Sequence, residues 1–247
     1  MFFIFFLFDL YFFFTFQAFA VGVSDFPYGH DVSYPQCVKD NYLHAGSAFG
    51  VVGVTGGKAF TKNLCLGNEF GWAKNLFSEP SVYINVNGAI GRNASNAFFG
   101  PKNCGKDDAA CLNYNFGWQA ALFAYSQALS RNIYSKEWWM DVELANSWND
   151  DFSLNRMVIL GVKDFFDSPV NMFMIDHIQL GVYSTRSMWG TITGDWKDRL
   201  PVWLATAESF LTAKNFCTYR YGFTGGSVLM VQYYNAGVGL DEDYLCR

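Results

Sequence analysis

Two acidic side chains, Asp141 and Glu143, are separated by one valine at the end of an apolar stretch that begins at Trp138. Such a stretch is typical of a buried strand whose polar residues come only at its C-terminal end. Because side chains alternate along a strand, both carboxylates should point to the same side, with Cα atoms roughly 6.5 Å apart. Two like charges this close beside apolar walls cannot both ionise freely, so one pKa should rise. The spacing therefore predicts a general acid with a carboxylate partner.

An Asp-x-Glu sequence also occurs by chance, and at a strand end it can be a solvated edge or a helix-capping pair. The surrounding chain helps to decide, because it alternates strand and helix patterns, which predicts parallel β/α units with right-handed crossovers. Besides the Trp138 stretch, apolar runs ending in turn residues predict strands over residues 49–55, 81–87, 178–184, 202–205 and 227–232. Helical spacing predicts helices over residues 65–76, 114–131 and 155–166.

In a parallel sheet or barrel, the ligand site lies at the C-terminal ends of the strands. Asn85 and Gln232 stand at the ends of two other predicted strands. We therefore expect them to converge with Asp141 and Glu143 in one site.

The first 20 residues are almost wholly apolar and end in Ala18-Phe19-Ala20, the small-x-small pattern of a signal-peptidase site. The segment is close to the length of a membrane span, lacks a positive n-region and contains Asp9, so an uncleaved signal anchor is the alternative. The favoured hypothesis is a secreted chain without stable membrane association after leader cleavage. No linker, charge block or repeat divides residues 21–247, which predicts one domain.

Six cysteines behind a leader predict three disulfides in an oxidising compartment. Their spacing alone leaves the pairing open, and the pairs that we expect are Cys104 with Cys111, Cys217 with Cys246, and Cys37 with Cys65. The spacing lacks the paired C-x-x-C of a zinc site, so neither a structural metal nor a cofactor is expected. A net charge of −5 argues against a nucleic-acid partner, for which a basic face is needed. We expect a monomer.

Six short motifs, in order along the chain, resemble glycoside hydrolase family 25 lysozymes. Gly29-His30-Asp31-Val32-Ser33 is similar to the opening strand of that family, and residues 49–55 to its second strand. Residues 139–143 resemble its Asp-x-Glu strand, residues 181–184 its Gly-Ile-Tyr-Thr strand, and residues 203–205 its Trp-Leu-Ala strand. Residues 231–233 and 241–243 resemble its closing Trp-Gln-Tyr and Asp-x-Asp motifs. The resemblance spans nearly the whole chain after the leader, from Gly29 to Asp243.

The resemblance implies an irregular, single-domain β/α barrel of the TIM type with fewer helices, and cleavage of the β-1,4 bond between N-acetylmuramic acid and N-acetylglucosamine in peptidoglycan. It also implies that Glu143 is the general acid and that Asp141 stabilises positive charge at the reacting centre. Asp31 and Asp243 would complete an acidic floor. The chemistry agrees, since glycoside hydrolysis needs a proton donor and a negative group near the oxocarbenium-like centre. Carboxylates on one strand also fit participation of the substrate's own N-acetyl group.

The sequence departs from the family pattern at two strand ends. The second strand ends in Thr55-Gly56-Gly57, without the family's acidic residue, and the third carries Asn85 and Asn87 where the family has aromatic and histidine residues. These changes bear on the sugar subsites, so a related N-acetylated glycan is an alternative substrate.

Aromatic and amide side chains are candidates for sugar binding, because aromatic faces stack on sugar rings. The residues that we nominate are Trp148, Tyr183 and Tyr233 for stacking, and Asn85, Asn146 and Gln232 for hydrogen bonds. Trp138 and Trp139 are expected to pack in the core. The leading hypothesis is thus a secreted glycoside hydrolase acting on peptidoglycan or a related glycan. The main alternative is a barrel that binds cell-wall glycan without cutting it, and a weaker one is a surface protein tethered by its leader.

Overall fold

The computed structural model describes residues 27–38, 46–168, 177–235 and 239–246. The predicted leader, residues 1–20, lies outside these ranges, and so does its cleavage site. Within the described ranges, none of the helices combines the length and the apolar character that a membrane span requires.

Eight strands close into a barrel in which each strand pairs with its neighbours in chain order. The strands are β1 (Tyr28–Val32), β2 (Phe49–Gly53), β3 (Ser81–Asn85), β4 (Glu137–Asp141), β5 (Gln179–Ser184), β6 (Val202–Ala207), β7 (Val228–Asn235) and β8 (Leu240–Leu245). β1 to β7 run parallel, whereas β8 is antiparallel to both β7 and β1. The predicted strands and their parallel arrangement are confirmed, but β8 was not predicted as a strand.

The helices around the barrel are unequal, which makes the barrel irregular as the family resemblance implied. They are α1 (Leu66–Lys74), α2 (Ala109–Leu129), α3 (Phe152–Phe166), α4 (Arg186–Thr193) and α5 (Phe210–Ala213). The three predicted helices correspond to α1, α2 and α3, and the short α4 and α5 were missed. α2 begins earlier than predicted because the Asp108 side chain caps it by accepting a hydrogen bond from the backbone N–H of Cys111 at 3.0 Å.

Helices α2 and α3 cross at two glycines. A Cβ atom on Gly117 would lie 1.9 Å from the carbonyl oxygen of Val158, and one on Gly161 would lie 2.0 Å from that of Tyr114. Both distances are far below van der Waals contact, so any side chain at either position would push the helices apart. The close crossing joins the two helices, and both pack against the outside of the barrel at β4, where the Trp138 ring contacts Tyr125 of α2 and Phe166 of α3.

The apolar side chains form two cores, one on each side of the barrel wall. Inside the barrel, Trp139 and Trp203 pack with smaller groups from other strands and are at most 1% exposed. Outside it, strand residues such as Trp138 pack against α2 and α3. Trp138 and Trp139 are adjacent, so strand alternation sends them to opposite faces. Their predicted role in packing is confirmed.

Three disulfides are present, and their pairing is the expected one. Cys37–Cys65 ties the segment after β1 to the N-terminus of α1. Cys217–Cys246 ties the segment that follows β8 to the segment before β7, and Cys104–Cys111 lies in the connection from β3 to α2. Two of the three bridges therefore fasten chain next to β1 and β8.

Candidate active site

A central cleft of about 190 Å³ opens at the end of the barrel where the parallel strands finish. It is lined by Asp31, Ser33, Pro35, Gln36, Tyr83, Asp141, Glu143, Tyr183, Trp203, Gln232 and Asp241. The four carboxylates in this set come from β1, from the end of β4 and from β8. The structure brings three of the polar residues expected at strand ends, Asp141, Glu143 and Gln232, together in this cleft.

Asp141 is the last residue of β4, and Glu143 lies two positions beyond it. Val142 points away into the outer core and is fully buried, while its backbone N–H continues the pairing by donating to the carbonyl of Tyr183 at 3.0 Å. The strand geometry therefore persists past Asp141 and places both carboxyl groups on the cleft side. We call this pair the β4 wall.

A chain of hydrogen bonds orients the Asp141 carboxyl from behind. The hydroxyl of Thr55 donates to Oδ1 of Asn85 at 2.7 Å, so the Asn85 amide must turn its NH₂ group toward Asp141. Nδ2 of Asn85 then donates to Oδ2 of Asp141. Asn85 is only 8% exposed, so it positions Asp141 rather than offering a broad surface to a ligand.

Burial raises the pKa of Asp141 well above its ordinary value, and the Glu143 carboxyl beside it raises that pKa further. Burial also raises the pKa of Glu143, but a hydrogen bond with Asp141 lowers it. No amide or hydroxyl of the described residues donates to the buried Oδ1 of Asp141. After burial, the charge of the Glu143 carboxyl contributes most to the raised pKa of Asp141, so Asp141 is the member of the pair that holds a proton more readily. The sequence predicted a raised pKa for one member, and burial raises both.

Across the barrel from β4, the cleft is closed by Asp31 on β1 and Asp241 on β8, which are directly paired in the antiparallel ladder. We call these two residues the β1/β8 wall. Burial, and next the charge of Asp241, raise the pKa of Asp31 to about 7. Gln232 steadies the Asp31 carboxylate by donating from Nε2 to its Oδ2 at 2.8 Å, and accepts in turn from the hydroxyl of Tyr183 at 2.7 Å.

The aromatic floor of the cleft is centred on Trp203. Its ring lies 4.4 Å from that of Tyr183 and 6.0 Å from that of Tyr83, measured between centroids. Tyr83 fits only because residue 53 is a glycine, since a Cβ there would lie 2.8 Å from the Cζ atom of Tyr83. These rings give the carboxylates an apolar base, which is one reason their protons are held tightly.

Asp243 lies in this floor and not on the surface of the cleft. It is fully buried and accepts a hydrogen bond from Nε1 of Trp203 at 2.7 Å. Burial raises its pKa well above the ordinary value, and the charge of Asp31 raises that pKa further. Asp243 therefore completes an acidic floor, as the resemblance implied, but it cannot touch a ligand. The carboxylate of β8 that reaches the cleft is Asp241, because β8 is antiparallel and its first residues lie nearest the mouth.

Three of the nominated sugar-binding residues lie away from the central cleft. Tyr233 points outward, since it alternates with Gln232, and it packs beside Phe210 with only 4% exposure. Its nomination for the cleft was wrong. Trp148 and Asn146 border a separate surface cavity of about 350 Å³ that also includes Leu144.

This Trp148 cavity is nevertheless joined to the β4 wall. Nε1 of Trp148 donates to the backbone carbonyl of Glu143 at 2.9 Å, and the backbone N–H of Asn146 donates to the same carbonyl at 3.1 Å. Both residues thus shape the turn that carries Glu143. Among the described residues, no cluster of histidine, cysteine or carboxylate side chains has an arrangement suited to a metal ion.

Sequence reasoning missed Tyr83, Trp203 and Asp241 as cleft residues. Two of them could have been predicted. Tyr83 precedes Asn85 by two residues on the same strand, so its side chain points to the same face. Trp203 pairs with Tyr183 on the neighbouring strand, so these two side chains also share a face. Asp241 could be found only once β8 was known to run antiparallel.

No protein-family model matches the sequence, and a search of curated proteins found no significant match. Solved structures do match. A glycosyl hydrolase 25 of Streptococcus pneumoniae, described as a virulence factor in host cell invasion, is 14% identical with a TM-score of 0.53, over 88% of this chain and 86% of that one. A family 25 glycosyl hydrolase from Bacillus anthracis is 10% identical with a TM-score of 0.52, over 88% of both chains.

The catalytic domain of endolysin ply40, from bacteriophage P40 of Listeria monocytogenes, is 14% identical with a TM-score of 0.50, over 89% of this chain and 93% of that one. These identities are low, so the likeness establishes the fold. The chain folds as a single-domain α/β barrel of the family 25 lysozyme type, and the fold that the sequence motifs implied is confirmed.

Proposed function

We propose that this protein is a glycoside hydrolase that cleaves β-1,4 bonds in peptidoglycan or a related N-acetylated glycan. The observation that carries the proposal is the β4 wall: a buried and a partly exposed carboxyl side by side, each with a pKa raised by burial, at the mouth of a barrel of this type. The likeness to glycosyl hydrolases and an endolysin supports the reaction class.

Glu143 is the proton donor in this proposal. It is the more exposed member of the pair, and no amide or hydroxyl of the described residues occupies its carboxyl, so it is free to meet the glycosidic oxygen. A proton held on Asp141 passes to Glu143 along their hydrogen bond and from Glu143 to the leaving oxygen. General acid catalysis of this kind contributes typically about 10²- to 10⁴-fold.

Asp141 becomes ionised when its proton has moved, and it then faces the reacting sugar as a carboxylate. Because it lies on the same wall as Glu143, it is placed to accept the N–H of an N-acetyl group whose oxygen attacks the anomeric carbon. Substrate assistance of this kind retains the configuration at that carbon. The β1/β8 wall then supplies negative charge on the other side of the sugar.

Export from the cell belongs to the same proposal. Three disulfides persist in oxidising compartments and are rare in the cytosol, and peptidoglycan lies outside the membrane. The predicted leader would provide the route.

The test is clearing of a peptidoglycan suspension by the oxidised protein and by Glu143→Gln across pH 3 to 8. Glu137→Gln is the matched control, because Glu137 lies on the same strand at the far end of the barrel. We expect wild type and the control to release reducing ends, and Glu143→Gln to lose about 10²- to 10⁴-fold in kcat. NMR of the first product should show the retained anomer.

Two results would change the proposal. If Glu143→Gln cleared the suspension as fast as wild type, Glu143 would not be the acid. If both folded proteins bound peptidoglycan and neither released reducing ends, the barrel would be a glycan-binding module.

A further inference from the structure

Besides the central cleft and the Trp148 cavity, a third cavity lies beside the segments that follow β2, β3 and β4, and Asn146 borders both this cavity and the Trp148 cavity. It has a volume of about 270 Å³ and is lined by Lys58, Ala59, Asn87, Ile90, Gly91, Asn93, Asn146 and Ser147. We call it the Lys58 cavity. Backbone hydrogen bonds from Val86 to Asp141 and from Gly88 to Ser147 join its two sides, so it continues the rim on which the β4 wall stands.

The charge of this cavity is opposite to that of the central cleft. Among the described residues, the cleft is lined by four carboxylates and no cation, whereas the Lys58 cavity is lined by one ammonium, three asparagines and no carboxylate. The Lys58 side chain is exposed, and within the described residues it forms no ion pair. Its charge is thus available to a ligand.

Asn146 supplies a second, independent sign of an absent partner. It borders the cavity and is 7% exposed, yet its Nδ2 group has no acceptor among the described residues. A buried amide donor without a partner costs free energy that an incoming oxygen would recover. A carboxylate or amide carbonyl is the oxygen that suits both this NH₂ group and an ammonium.

The cavity is also within reach of the reacting sugar. Asn146 follows Glu143 by three residues, and three residues span at most about 10 Å even when extended. The turn between them is closed by the 3.1 Å hydrogen bond from the Asn146 backbone, which shortens the path. A substituent of two or three residues on a sugar in the cleft would bridge that distance.

We infer that the Lys58 cavity binds the carboxylate-bearing lactyl-peptide arm of a muramyl sugar, with Lys58 and Asn146 as its contacts. The inference rests on the proposed function and narrows it, because chitin-type glycans carry no such arm. An anionic arm would otherwise be repelled by a cleft with four carboxylates in a chain of net charge −5. Lys58 is therefore a specificity residue that selects peptide-bearing peptidoglycan.

The experiment compares two substrates and four proteins. The substrates are soluble peptidoglycan strands with native peptides, and the same strands after carbodiimide conversion of their carboxylates to neutral amides. The proteins are wild type, Lys58→Gln, Lys58→Arg and the control Lys62→Gln, whose exposed lysine borders neither cavity. The readouts are kcat and KM from reducing ends, and Kd by calorimetry on a Glu143→Gln background.

We expect Lys58→Gln to raise KM on native strands about three- to fivefold at unchanged kcat, as for an exposed ion pair. Lys58→Arg should restore KM, and Lys62→Gln should leave it alone. On amidated strands, wild type should already show the higher KM, and Lys58→Gln should add nothing.

The inference is overturned if Lys58→Gln weakens both substrates equally, or if Lys62→Gln has the same effect. Failure of the proposed function looks different, because wild type would then release no reducing ends from either substrate. In that case the calorimetric Kd still decides: a preference for native strands that Lys58→Gln abolishes supports the cavity, and its absence refutes it.

Discussion

The two walls of the central cleft are similar in the buried aspartate behind each of them, but they differ in the carboxyl that faces the cleft. Beside each wall, a nearly or fully buried aspartate whose pKa is raised by burial lies next to a more exposed carboxyl: Asp141 next to Glu143 in the β4 wall, and Asp243, from the floor, next to Asp31 of the β1/β8 wall. On each, the buried aspartate also accepts a bond from a nitrogen donor behind it, Asn85 on one wall and Trp203 on the other. The walls differ in the exposed member.

Glu143 and Asp31 are held to different degrees. Oδ2 of Asp31 accepts from Gln232, which is itself fixed by Tyr183, so this carboxylate has a set position. No comparable donor among the described residues reaches the Glu143 carboxyl, and Glu143 lies beyond the end of its strand. In the proposed mechanism, this difference suits the β4 wall to proton transfer, where a carboxyl can move to a substrate, and the β1/β8 wall to a fixed charge.

The strongest test of this division is Asp141→Asn. The new amide would accept from Asn85 and donate its NH₂ to Glu143, which holds Glu143 ionised and unfit to donate a proton. We expect kcat to fall about 10²- to 10³-fold at pH 7, within the range for general acid catalysis. The loss should shrink as the pH falls, because protonation of Glu143 restores the acid.

The measurement is kcat/KM against pH for wild type and Asp141→Asn. A loss of equal size at every pH would mean that Asp141 does not act through the protonation of Glu143, and the proton path from Asp141 to Glu143 would have to be abandoned. Urea unfolding of both proteins at the same pH values controls for stability.

A second contrast is covalent, since two of the three disulfides fasten chain next to β1 and β8. Cys37–Cys65 holds the segment after β1, which supplies Pro35 and Gln36 to the cleft. Replacing both cysteines by serine removes a cross-link between residues 28 apart and should cost about 3 kcal/mol of unfolding free energy. KM should rise a few-fold, because the cleft loses an anchored edge.

Cys104 and Cys111 offer the matched control for that change. Their bridge spans only 7 residues and lies outside the cleft, so the same double replacement should cost about 2 kcal/mol and leave KM unchanged. Denaturant unfolding and KM on one substrate are measured for both variants. Equal KM values for the two would show that the disulfide beside β1 does not order the cleft.

Much of the barrel could be predicted because its strands are short apolar runs ending in turn residues. That pattern located β2 through β7, and the motif around Asp31 located β1. β8 escaped because Asp241-Glu242-Asp243 places three consecutive acidic residues where a strand normally shows apolar residues. It forms a strand because β1 and β7 both pair with it. Such tertiary pairing leaves no local signal.

The site was predicted where strand alternation and strand ends decide, and missed where loops decide. Asp141, Glu143 and Gln232 follow from alternation, and the same rule, applied to Tyr233, would have sent it outward. Trp148 could not be placed, because the turn after Glu143 rather than a strand directs its ring to a separate cavity. Side cavities beside a cleft depend on such turns, which sequence periodicity does not encode.

The smallest expected effect comes from Asp31→Asn, and its sign follows from the pKa of Asp31. Burial and Asp241 raise that pKa from an ordinary 3.8 to about 7 in the folded protein. Between these values the folded state binds a proton that the unfolded state has lost, so the stability from this group is full below about pH 4 and is lost as pH rises to about 7. Since one pKa unit corresponds to about 1.4 kcal/mol, the full loss is at most about 4 kcal/mol.

Asp31 keeps contact with cleft water, which screens its charge, so we expect Asp31→Asn to stabilise the protein at pH 7 by about 2 kcal/mol and to leave stability at pH 4 nearly unchanged. Urea unfolding at both pH values measures this, with Asp107→Asn as a control at an exposed position. An equal gain at both pH values would mean that the Asp31 side chain destabilises the fold because it is buried, and not because it is ionised. A loss of stability at pH 7 would show that the folded protein stabilises the ionised Asp31 carboxylate better than water does. Asp31 would then be the carboxyl of the cleft that stays ionised most readily.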